Sequence, residues 1–145
     1  VDGLNIGAGY GHVEQGTVEV TGRQLKDKEY YAAYVKYAIG PVTVGYQRNE
    51  VTARAKDVQS EMMSIAFNVN ENLSISYGEL VETYNAQSHQ TTEIANVDME
   101  SDSIQFAYTM GSMSIKGYQT ETDNPGWDSD ADSNTETEIA VNFAF

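Results

Sequence analysis

Glu136-Thr137-Glu138-Ile139-Ala140-Val141-Asn142-Phe143-Ala144-Phe145 is the stretch on which the fold turns. Ile139, Val141, Phe143 and Phe145 alternate with Glu138, Ala140, Asn142 and Ala144. Successive side chains of a strand point to opposite faces, so a period of two predicts a strand with one apolar face and one small or polar face. At the edge of a water-soluble sheet such a strand invites association with other chains. In a closed membrane barrel the last strand pairs with the first, turns its apolar face to lipid and sets a terminal aromatic at the interface.

Working outward from this stretch, the same period recurs along the chain. Leu4, Ile6, Ala8 and Tyr10 alternate with Asn5, Gly7, Gly9 and Gly11. A polar run from Glu14 to Glu29 reads as a long loop, after which Tyr31, Ala33, Val35, Tyr37 and Ile39 share one face. Gly40-Pro41 turns the chain into Val42, Val44 and Tyr46, and Arg48 to Asp57 reads as a second polar connection. Met63, Ile65, Phe67 and Val69 follow, then a tight Glu71-Asn72 turn and Leu73, Ile75 and Tyr77. Beyond Leu80 the phase blurs, because Glu79 falls in the apolar register, and a bulge or a membrane boundary is expected there. Tyr84 to Met99 reads as a third loop. Ile104, Phe106, Tyr108 and Met110 lead through Gly111-Ser112 to Met113 and Ile115, and Asp123 to Thr135 is the fourth loop before the closing strand.

This gives about eight strands of ~10 residues, the length a tilted strand needs to cross an outer membrane. Long connections fall at one end and tight ones at the other, as in bacterial barrels with extracellular loops and periplasmic turns. Both termini then come out on the periplasmic side. Tyr37, Phe67, Tyr108, Phe143 and Phe145 all lie near the tight-turn ends and form a candidate aromatic girdle. The expected fold is therefore all-β: a transmembrane antiparallel up-and-down β-barrel wall, occupying residues 1–145 as one segment.

Composition narrows the classes. A chain of 145 residues that is 40% hydrophobic and has no cysteine excludes disulfides and thiolate metal sites. The longest nearly apolar stretches fall far short of the ~20 residues of a membrane helix. A net charge of −14 with only eight Lys and Arg argues against nucleic-acid partners. The start at Val1, with neither an initiating Met nor a signal peptide, leads us to expect a processed chain or a piece of a longer one.

The terminal 139–145 segment, the hairpin from Ile65 to Gly78 and the opening Gly3-Leu4-Asn5-Ile6-Gly7-Ala8-Gly9-Tyr10 together resemble the C-terminal half of a bacterial general porin of the alphaproteobacterial type. The resemblance implies an outer-membrane protein whose sixteen-stranded barrel encloses a water-filled pore and assembles as a homotrimer. It also implies contact with outer-membrane lipid and lipopolysaccharide, recognition of the C-terminal strand by the barrel assembly machinery, and a partner in the remaining half of the barrel. That family narrows its pore with an inward-folded loop from the first half, and no segment here is a candidate for it. The expected function is passive diffusion of small hydrophilic solutes and ions, with no cofactor.

Several residues are candidates for this role. Lys36, Lys116 and Glu138, with Gln47, Asn68 and Gln105, fall in the register opposite the apolar face and are expected to line the pore, where side-chain charge sets ion preference. Arg48 falls in the lipid-facing register near a loop end, a place for a snorkelling cation or a plain loop residue. Asp128, Asp130 and Asp132 alternate like the start of a calcium loop, but Ser133 stands where the required Gly would be and Ile139 where the Glu would be. A solvated acidic loop is the plainer reading. His12 and His89 are the only histidines, and with no nucleophile elbow or metal-ligand spacing catalysis is not expected. Two alternatives compete: a complete eight-stranded barrel acting as adhesin or structural anchor, and a soluble all-β binding module. The small residues of the polar register would fill a narrow barrel poorly.

Overall fold

Eight long strands hydrogen-bond into a single antiparallel sheet in which every neighbour in space is also the next long strand in sequence. They are β1 (Leu4–Val13), β4 (Lys28–Ile39), β5 (Val42–Thr52), β6 (Lys56–Asn68), β7 (Leu73–Ala86), β8 (Val97–Met110), β9 (Met113–Asp123) and β10 (Asn134–Phe143). A separate two-stranded ribbon, β2 (Thr17–Val18) with β3 (Arg23–Gln24), rises between β1 and β4. The computed structural model describes residues 1–15, 17–18, 23–24, 27–53, 56–86 and 97–144. Among these the only helical turn is the 3-10 segment Pro125–Trp127.

The sheet is open. Its order runs from β1 at one edge to β10 at the other, so the pairing of last strand with first is not made within this chain. At the tight-turn end, Gly40 and Gly111 adopt positive φ (56° and 58°) between the paired Ile39 and Val42 and the paired Met110 and Met113. Glycine takes this left-handed region without a Cβ clash. The third tight turn is wider than Glu71-Asn72: Val69 N–H donates to the Leu73 carbonyl at 2.9 Å, and the Asn70 carboxamide oxygen accepts from the N–H groups of Asn72 (2.9 Å) and Leu73 (3.0 Å). This is an Asx-type turn, in which a short polar side chain satisfies backbone donors that the hairpin leaves over.

Several strands run further than their apolar residues. Residues 48–57, expected as a loop, are mostly ladder: β5 continues to Thr52 and β6 starts at Lys56. Arg48 is thus a strand residue. Likewise β4 already begins at Lys28, β7 reaches Ala86 and β8 starts at Val97. The expected bulge near Leu80 is absent, because pairing passes unbroken through Met63↔Glu79, Met62↔Leu80 and Glu61↔Val81.

What looked like loss of alternation is a change of phase. On the first face, the row Leu4↔Tyr37↔Val44↔Ile65↔Tyr77↔Ile104 is wholly apolar or aromatic. Nearer the opposite end, that same face carries Arg48, Glu61, Glu79, Asp102 and Glu121. The second face reverses the order. Its lower part is mostly Gly, Ala and Ser with polar residues such as Lys36, Gln105 and Lys116 among them, whereas its upper part holds the row Tyr30↔Val51↔Val58↔Tyr84↔Val97.

No hydrophobic side chain among the described residues is buried. Ile6, Ile104, Ile139 and Phe143 are 70%, 61%, 68% and 58% exposed, all on the first face. A water-soluble domain of this size would cover most such groups.

Candidate functional site

Strand register brings all six expected lining residues onto the second face. Lys36 lies opposite Gly45, Gln47 opposite Tyr34 and Met62, and Asn68 opposite Ser74 beside the turn. Gln105 lies opposite Ser76 and Tyr118, Lys116 opposite Ala107 and Ala140, and Glu138 opposite Tyr118. Five of them border a shallow trough. Gln105, Lys116 and Glu138 edge a hollow of about 450 Å³ with Tyr118, Ser74 and Ser76. Its neighbour, about 480 Å³, shares Ser76 and Gln105 with it, and shares Met62 and Ser64 with a third hollow of about 150 Å³ bordered by Lys36 and Gln47. Asn68 lies beyond the trough at the turn.

Small side chains keep this trough open, and hydroxyls make it wettable. Thr120 donates to Ser103 (2.9 Å), Ser101 and Thr122 share a hydrogen bond (2.8 Å), and Ser60 donates to Glu82 (2.7 Å). The Tyr118 hydroxyl faces two carboxylates, Glu136 at 2.7 Å and Glu138 at 3.2 Å. One phenol hydroxyl is thereby shared between two carboxylates. Among the described residues, neither Lys36 nor Lys116 makes an ion pair. Both ammonium groups are exposed to whatever fills the trough.

The first face has its own order. Tyr37, Phe67, Tyr108 and Phe143, four of the five candidate girdle residues, lie on it near the tight-turn ends of their strands; Phe145 lies outside the described residues. A second aromatic group, not anticipated, ends the apolar run on each of its own strands: on the first face Tyr10 is followed by His12, Tyr31 by Glu29, Tyr46 by Arg48 and Tyr77 by Glu79. Tyr10 and Tyr31 pack with ring centroids 5.2 Å apart, Tyr10 donates to Glu29 (3.4 Å), and Tyr77 donates to Asp102. These hydroxyls meet the charged rim while their rings belong to the band, the division expected of an amphipathic residue at an interface. Arg48 joins that rim through Glu61 at 3.0 Å and Gln59 at 2.7 Å. The signal was present in sequence, since a charged residue follows Tyr46 and Tyr77 two positions later on the same face.

Loop 124–133 carries the remaining candidates. Asp128 accepts from the Asp130 N–H at 3.0 Å. Among the described residues, Asp128, Asp130 and Asp132 do not converge into a group that could hold a metal ion. Trp127, which the sequence reading passed over, turns back to β7: its indole N–H donates to the Glu82 carbonyl (3.1 Å) and its ring packs on Tyr84 with centroids 5.8 Å apart. His12 is on the first face, 3.8 Å from Asp27 and apart from the trough; His89 lies outside the described residues.

Neither the known protein families nor the curated proteins include a match to this sequence. The functional reading therefore rests on the two faces of the sheet.

Proposed function

We propose that this chain is one wall of a bacterial outer-membrane porin barrel, and that its second face lines a water-filled pore for passive diffusion of small hydrophilic solutes and ions. One observation carries the reading: a single sheet whose described residues bury no hydrophobic side chain exposes an apolar band on one face and a small, hydroxylated, charged surface on the other. Lipid is the solvent that suits the first face, and water the second. On β4 the band runs from Tyr31 to Ile39, ~27 Å along the strand at ~3.4 Å per residue, which a tilt of ~35–45° projects to ~19–22 Å of height, against a lipid-facing band ~25 Å tall in such barrels. Aromatics at both margins agree with interfacial girdles.

The open edges extend the proposal. Unpaired backbone groups have no place in hydrocarbon, so β1 and β10 take further strands. The remaining half of a sixteen-stranded barrel is the simplest supply. A closed barrel of these eight strands would put Tyr30, Tyr34, Tyr84 and Trp127 into an interior already too narrow for a channel. In the proposed orientation the tight turns and termini are periplasmic, and the 124–133 loop is extracellular.

The test is the mass of the polypeptide extracted from its native membrane, run in detergent unheated and heated, followed by conductance in planar bilayers. A heat-sensitive oligomer of chains about twice this length, with ohmic channels, is expected. Solution in buffer without detergent would overturn the membrane reading.

A further inference from the structure

Trp127 stands out among the side chains beyond β9. Backbone geometry aims it: Asn124, Gly126 and Trp127 all have positive φ (49°, 72° and 60°), which folds the chain back on itself directly after β9. Such conformations persist in non-glycine residues only where surrounding contacts hold them. Two hydrogen bonds supply such contacts. Asn124 donates from its carboxamide to the Asp98 carbonyl at the start of β8 (2.8 Å), and the Trp127 N–H closes the turn on the Asn124 carbonyl (2.9 Å). The indole then reaches past β8 to the Glu82 carbonyl and the Tyr84 ring on β7.

The direction of the fold-back matters. Tyr84 belongs to the second face, in register with Val58 and Val97, so a ring packed against it lies on the side of the trough. The connection 124–133 thus leans over the second face at the loop end of the sheet. It takes Asp128, Asp130 and Asp132 with it and no Lys or Arg, three of the 22 acidic residues of the chain. Asp128 and Asp130 are one and three residues beyond the indole, which limits their Cα atoms to about 4 and 11 Å from that of Trp127. Asp128 is itself fixed, capping the Asp130 N–H, and the Asp128 carbonyl accepts from Ala131 (3.2 Å).

We propose that Trp127 is a latch that holds the acidic 124–133 connection over the pore mouth and makes that mouth favour cations. This inference rests on the porin reading and specifies the selectivity of the same site. Trp127 is a positioning residue: its indole meets no permeant ion, but it keeps Asp128 and Asp130 within about a Debye length of the path an ion takes. Released from Tyr84, the loop would extend into water, where screening removes most of its field from the mouth.

Because Trp127 is the only tryptophan, its fluorescence reports the latch directly. The full-length chain, isolated from its membrane and folded in detergent, is compared with Tyr84→Ala and Tyr84→Phe using acrylamide, a neutral quencher. Shielded emission in the parent and in Tyr84→Phe, with quenching at least doubled in Tyr84→Ala, is the expected result. An indole in the parent as accessible as free tryptophan overturns the latch, whether or not the variants fold. The second arm measures zero-current potentials in a KCl gradient for the parent, Trp127→Ala and Asp128→Asn/Asp130→Asn. Each variant should lower the cation-to-anion permeability ratio about twofold, the effect of a few screened charges near 10 Å. A ratio unchanged in both overturns the selectivity role. A parent that forms no channel overturns the porin reading and this role with it, while the quenching result still decides whether the latch exists.

Discussion

Arginine at the centre of the first face distinguishes lipid from water as the solvent of that face. Ile65 is on β6 between Val44 and Tyr77, two positions from Phe67 at one margin and four from Glu61 at the other. It is 47% exposed in the isolated chain, so a larger, longer side chain meets no steric obstacle. In water, Ile65→Arg would change stability by no more than about 0.5 kcal/mol, as surface substitutions do. Facing hydrocarbon, it costs about 2–4 kcal/mol, because a guanidinium near the bilayer midplane must be dragged out of water or drag water in. That difference corresponds to about thirtyfold to several hundredfold in the folding equilibrium. Thr83→Arg is the internal control: Thr83 shares the face but lies beyond the charged rim, opposite Gln59 and Asp98, where the cost falls to about 0–1 kcal/mol. The assay is urea unfolding in lipid vesicles, followed by heat-modifiable gel mobility. Equal midpoints for Ile65→Arg and Thr83→Arg would refute the assignment of the first face to lipid.

Other expectations follow from the same geometry. Lys36→Glu combined with Lys116→Glu should raise the cation-to-anion permeability ratio about two- to threefold, since both ammonium groups are exposed on the second face; an unmoved reversal potential would take them off the pore wall. Gly117→Val should cost about 1–3 kcal/mol by overpacking, because a Cβ at Gly117 would stand 2.5 Å from Phe106 Cε1 and 3.2 Å from the Glu138 carbonyl oxygen. Urea titration of Gly117→Val, Phe106→Ala and the double variant checks it: the double should be less destabilised than the two singles added together. Asn70→Ala should cost about 1 kcal/mol for two lost backbone hydrogen bonds, and Asn70→Asp, which keeps the acceptor, should restore most of it by the same titration.

How much of this was legible in the sequence varies along each strand. Near the tight turns, where Ile65, Phe67, Ile75 and Tyr77 alternate with Ser64, Ala66, Ser74 and Ser76, a period of two names both the strand and its faces. Parity alone then placed Lys36, Gln47, Asn68, Gln105, Lys116 and Glu138 together. At the other end the same rule misled. Val97-Asp98-Met99-Glu100 and Val58-Gln59-Ser60-Glu61 still alternate, but with the apolar residue on the opposite face. Read for one greasy face only, such segments pass for polar loops, although their backbones remain in the ladder.

By itself the sequence determined the strand class, the number of long strands, the place of the tight turns and the side to which each residue near them belongs, because these follow from local chemistry: a two-residue period, glycine's access to positive φ and the turn chemistry of asparagine. Tertiary structure alone decided where each strand ends, that β1 and β10 are open edges, and that Trp127 lies on Tyr84 and the Glu82 carbonyl, 45 residues away in the chain. Those outcomes depend on which backbones pair and which loop leans over which face. Such contacts join residues with no shared period, so no local pattern announces them.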